Sequence, residues 1–131
     1  MSRSIVLHLH GESFARRYQV ASHAITAAAA GDAVLVVFWF DALARLAAGT
    51  FDEPLQGEDE AVAARHRALG LPPPAEMLAE ARLLGARFAA CETGVRLAGV
   101  DPSRARELVD EVPGLQELLS RARAADLVLY V

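Results

Sequence analysis

The run Ala33-Val-Leu-Val-Val-Phe-Trp-Phe40 constrains the fold more than any other part of the chain. A strand with one wet face alternates apolar and polar residues. This run does not alternate, so both of its faces must be covered, as in a parallel sheet with helices on either side. It is also far too short to cross a bilayer, which takes about 20 apolar residues. Gly31-Asp32 ends the preceding element and Asp41 follows the run, so it reads as one buried strand.

The flanking segments fit the same architecture. Residues 5–9 form a short apolar run, read as a first strand, and Gly11 breaks it. Ser13 can cap a helix running to about residue 30, with Phe14, Tyr18, Ala21, Ile25 and Ala28 on one face. Asp41 can cap a short helix over 42–48, closed by Gly49. A helix over 75–84 turns Met77, Leu78, Ala81 and Leu84 inward, and residues 87–91 make the third strand. Short helices follow over 94–98 and from Asp101-Pro102-Ser103. Residues 108–112 read as a short fourth strand, residues 115–125 as a helix, and residues 126–131 as the last strand.

This alternation predicts a doubly wound α/β domain, a three-layer α/β/α sandwich on a five-stranded, mainly parallel sheet. With the common strand order 2-1-3-4-5, ligand sites lie at the carboxyl ends of strands one and three. Residues 50–74 interrupt the pattern with Pro54, Gly57, the acidic cluster Glu58-Asp59-Glu60 and Pro72-Pro-Pro74. They read as a surface insertion carrying one helix, with the acidic cluster facing solvent.

At 131 residues the chain suits one domain. Its net charge of −4 and lack of a basic block give no reason to expect a nucleic-acid partner. There is no lysine, which excludes a Schiff-base or Walker lysine within these residues. One cysteine forms no internal disulfide, and Met1-Ser-Arg-Ser runs straight into a histidine-bearing apolar stretch, unlike a secretory signal. The expectation is a soluble cytoplasmic protein with no membrane partner. Gly-x-Gly-x-x-Gly, Walker and Gly-x-Ser-x-Gly motifs are absent, so no cofactor is expected.

The candidate site gathers at the predicted strand ends. Cys91 ends strand three, His10, Gly11 and Glu12 follow strand one, and Asp41 follows strand two. A turn of Thr93 and Gly94 comes after the cysteine, with Arg96 a helical turn away to offset Glu92. A thiolate there would serve as a nucleophile, while a small buried apolar residue is the bland alternative. His10 can shuttle a proton or pair with a thiolate, or simply bond backbone. His8 shares its strand face, but two histidines without an assured third ligand make a weak zinc signal, and no metal is expected. Phe38, Trp39 and Phe40 read as core or interface, with Trp39 able to shield a sulfur species from water. His23 and His66 lie on helices, solvated or half-buried.

Phe88-Ala-Ala-Cys-Glu-Thr-Gly-Val-Arg-Leu-Ala-Gly-Val100 resembles the cysteine-bearing turn of the DsrE/DsrF-like sulfur-relay proteins. Val36-Val-Phe-Trp-Phe-Asp-Ala-Leu43 is similar to that family's aromatic second strand, and residues 113–131 to its last helix and strand. The resemblance implies an α/β/α domain that assembles into homo- or hetero-oligomers, often trimers or hexamers. It also implies a persulfide on Cys91, taken from a sulfur donor protein and passed to an acceptor. Some relatives carry a second cysteine three residues on, where this chain has Gly94. Two other readings use the same fold: a non-catalytic binding or assembly module, and a thiol redox sensor needing an external resolving thiol.

Overall fold

The computed structural model describes residues 2–131. Four strands, β1 (Ser4–Leu9), β2 (Ala33–Phe38), β3 (Arg87–Ala89) and β4 (Leu127–Tyr130), form one parallel sheet in the order β3-β2-β1-β4. Seven helices complete the described residues: α1 (Phe14–Ala29), α2 (Phe40–Ala48), α3 (Glu58–Ala68), α4 (Pro74–Leu83), α5 (Glu92–Leu97), α6 (Pro102–Leu108) and α7 (Leu115–Ala124).

The class is the predicted one, but the strand count and order are not. The expected strand at 108–112 reduces to a single bridge, Ala89 to Glu111. Asp110 and Glu111 both donate to the Phe88 carbonyl, and the Asp110 carboxylate accepts the Phe88 N–H, so the segment follows β3 without forming a ladder. The order 2-1-3-4-5 fails because β4 occupies the edge of β1 that the third strand was expected to take. β3 docks on the free edge of β2 instead. Strands one to three therefore step outward in one direction. Right-handed crossovers that step the same way leave their helices on the same face. The return from β3 to β4 steps the other way and carries α7 to the opposite face.

Two buried clusters follow from this winding. Ile5, Leu7, Leu9, Val34, Val36, Phe38 and Phe88 point to one side, where α1, α2, α4, α5 and α6 contribute apolar residues. Val6, Leu35, Val37, Ala89 and Cys91 point to the other, where Leu118 of α7 is the buried helical partner. The first cluster is much the larger, so the second face has the thinner cover.

Ser13 caps α1 as its sequence suggests, its hydroxyl accepting the Arg16 N–H at 3.2 Å. The inward stripe is rotated from the expected one: Phe14, Arg17, Val20, Ala21, Ala24 and Ala28 are buried, while Tyr18 and Ile25 are only partly so. On α4, Met77, Leu78 and Ala81 are buried, but Leu84 lies past the helix end and is 54% exposed. Asp41 does not cap α2; it sits inside the first turn after Trp39 and Phe40, with Phe40 in the left-handed region at φ 43°.

The segment at 50–74 is tied to the core by one arginine. The fully buried Arg17 donates to the carbonyls of Glu12 (3.0 Å), Phe51 and Glu53 (2.7 Å), and its guanidinium lies 3.9 Å from Asp59. Asp59 is not a solvated charge. Its carboxylate accepts the N–H groups of Phe14 at 2.8 and 2.9 Å and of Leu55 at 2.6 Å, at the positive end of α1. Burial by itself would raise the Asp59 carboxyl. The N–H bonds from Phe14, Leu55 and Ala15, with the Arg17 charge, outweigh it and hold the group below its ordinary value. His66 is buried too, its Nε2 2.8 Å from the Pro72 carbonyl, between the rings of Phe14 and Tyr18.

Candidate functional site

The carboxyl edge of the sheet is where the chemistry-bearing side chains meet. The β1–β2 register pairs His8 with Val37 and Leu9 with Phe38, and the β2–β3 register pairs Val37 with Ala89. Continued one step past Leu9–Phe38 the register brings His10 beside Trp39, and two steps past Val37–Ala89 it brings Trp39 beside Cys91. His10 stacks on the Trp39 indole at 5.3 Å between ring centroids. Because β2 intervenes, His10 and Cys91 do not share adjacent strand ends as expected. Trp39 stands between them.

A second row lies one residue pair lower. His8 faces Tyr130 across the β1–β4 pair, and the two rings stack at 4.4 Å with 3° between planes. The Trp39 indole N–H donates to His8 Nδ1 at 2.9 Å. That bond fixes the tautomer of the neutral ring: Nδ1 carries the lone pair and Nε2 carries the hydrogen. Nε2 has no partner among the described side chains and backbone groups. His8 is 3% exposed, and burial, with a smaller push from His10, lowers its pKa from 6.5 to about 4. His10 is also lowered, by the partial loss of water around its ring. His8, His10, Trp39 and Tyr130 face the leucines of α7 across a cleft of about 210 Å³.

Cys91 lies just past β3 as the N-cap residue of α5, and its side chain is 3% exposed. It packs in the smaller cluster with Leu118 and Ala89, and Trp39 borders the same cluster. It is not among the residues lining the cleft of His8 and His10. Gly94 is buried on α5, and a Cβ there would lie 3.4 Å from the Trp39 ring and 3.5 Å from the Cys91 Cβ. Thr93 is exposed, and Arg96 and Glu92 form an exposed pair at 3.7 Å. Arg96 thus pairs with Glu92, as its spacing suggested, but away from the buried thiol.

Of the remaining candidates, Gly11 is buried in the turn after β1, where its N–H donates to the Val131 carbonyl at 3.1 Å. Glu12 is exposed and offers its backbone carbonyl to Arg17. Asp41 is half-buried and pairs with Arg45 at 3.6 Å. Neither carboxylate lines the cleft. His8 and Tyr130 are the site residues the strand pattern undervalued. A histidine alternating with apolar residues on a buried strand was the available signal for His8. For Tyr130, only the β1–β4 pairing reveals the partner. Among the described residues no three His, Cys, Asp or Glu side chains converge as a metal site, and no helix is long and apolar enough to cross a membrane. No protein-family model matches the chain, and no curated protein matches it.

Proposed function

We propose that this chain is a DsrE-like domain that carries sulfur as a persulfide on Cys91. The single observation behind this reading is position. The only cysteine ends a parallel strand at the carboxyl edge of the sheet and begins a helix, in one row with Trp39 and His10. In the proposed step the Cys91 thiolate attacks the outer sulfur of a donor persulfide R–S–SH. A new S–S bond forms at Cys91, the donor S–S bond breaks, and the donor leaves as R–S⁻. A cysteine of an acceptor protein then removes the outer sulfur by the same exchange. The reading carries with it a three-layer sandwich, a cytoplasmic setting and a homo-oligomer, trimeric or hexameric by resemblance.

A thiol that is 3% exposed reacts only when its cover opens. Leu118 of α7 and Trp39 belong to the cluster that buries it, so a carrier must open there locally, below the cost of global unfolding. Native-state alkylation of Cys91 across a urea series, read by intact mass, tests this. A rate independent of low urea marks local opening and supports the carrier. A rate that tracks global unfolding refutes it. The burial itself favours a second reading, a non-catalytic binding module on the same fold in which Cys91 is a packing residue. In that case Cys91→Ala leaves every function intact.

A further inference from the structure

The sheet has one place where its winding reverses. The chain leaves β1 toward β2 on one side, and β4 returns to the other side of β1. In open α/β sheets, ligands bind outside the carboxyl ends of the strands at such a reversal. The cleft between β1, β4 and α7 lies at this point, and Cys91 does not line it.

We propose that this cleft binds a small, uncharged aromatic molecule bearing one oxygen acceptor, held by the Nε2–H of His8. Four observations carry the proposal. The first is the unpartnered donor. His8 Nδ1 is committed to Trp39, so Nε2–H is a buried donor with no partner in a side chain that lines the cleft. Leaving such a donor unpaired costs about 1–3 kcal/mol. The second is the wall: His10, Trp39 and Tyr130 are flat rings, and Leu115 and Leu119 of α7 close the other side. The third is size. An apolar cavity of ~150 Å³ holds a benzene ring, so about 210 Å³ holds a ring with a short substituent. The fourth is charge. Neither Arg, Asp nor Glu lines the cleft, so nothing there would pair with an ionised ligand.

Acetophenone is the probe, with ethylbenzene as its counterpart lacking the acceptor and benzoate as a charged one. The readout is the histidine side-chain ¹H–¹⁵N spectrum of the intact chain. Acetophenone should shift the His8 Nε2 resonance saturably, with an affinity about tenfold or more above that of ethylbenzene, the ratio that ~1.4 kcal/mol gives. Benzoate should bind more weakly than acetophenone. Leu119→Arg, at a position 45% exposed, should abolish the shift while the rest of the spectrum stays that of the folded chain. Cys91→Ser should leave it unchanged, which separates this site from the sulfur reading. Equal binding of ethylbenzene, an unmoved Nε2 resonance, or a shift that survives Leu119→Arg would each overturn the proposal.

Discussion

His8 makes the carboxyl edge an acid-sensitive element, and the size of the effect can be worked out. In the unfolded chain an imidazole takes up its proton near 6.5; in the fold His8 does so only at about 4. Between those values the unfolded state binds one proton more, so falling pH favours unfolding and rising pH restores stability. A drop from 6.5 to about 4, at about 1.4 kcal/mol per pH unit, amounts to about 3 kcal/mol. The groups facing His8 are His10 just past its own strand, Trp39 just past β2 and Tyr130 on β4. None is a carboxylate that would rescue the charged ring. His8→Gln supplies a non-titrating side chain whose amide oxygen can accept the Trp39 N–H. Urea unfolding at pH 7 and pH 4 should show the native chain losing about 3 kcal/mol more than the variant. Asp59 and Asp110, whose carboxyls lie below their ordinary values, steepen the acid loss in both proteins and cancel in the difference. Parallel pH curves for the two proteins would refute the argument.

Arg17→Met should cost about 3 kcal/mol or more in urea unfolding, because it leaves the buried Phe51 carbonyl, the part-buried carbonyls of Glu12 and Glu53 and the Asp59 charge without their donor. Arg17→Lys should not restore the loss, since one ammonium cannot span the fork; a loss under about 1 kcal/mol would contradict the clamp. Gly94→Cys should form a disulfide with Cys91 on mild oxidation. A Cβ at 94 lies 3.5 Å from the Cys91 Cβ, at the short end of the disulfide range of about 3.5–4.5 Å. Two thiols still titrating after oxidation would show that the geometry is wrong.

The buried strands and the parallel class were legible because an apolar run such as 33–40 has few other homes. The capping of α1 by Ser13 and the start of α6 at Asp101-Pro102-Ser103 were legible for the same local reason, a short polar side chain ahead of a helical pattern. What failed was non-local. Apolar patterning shows that a strand is buried but not which neighbour it takes, so the contest between β3 and β4 for the edge of β1 left no trace in either segment. Arg17 was invisible as a core residue because its burial depends on carbonyls and a carboxylate more than thirty positions away. Asp59 looked like one charge in an acidic run for the same reason. At the site, Cys91, His10 and Trp39 were picked out by residue type, while His8 was weighed only as a metal ligand. Its actual setting, a bond from Trp39 and a stack on Tyr130, joins three strands and emerges only from their register.

The most direct test of the proposed function is polysulfide loading of the native chain, read by intact mass beside Cys91→Ser. The account predicts mass gains of whole sulfur atoms in the native protein, reversed by a thiol reductant and absent from Cys91→Ser. Loading that occurs only after denaturation, or that persists in Cys91→Ser, would contradict it.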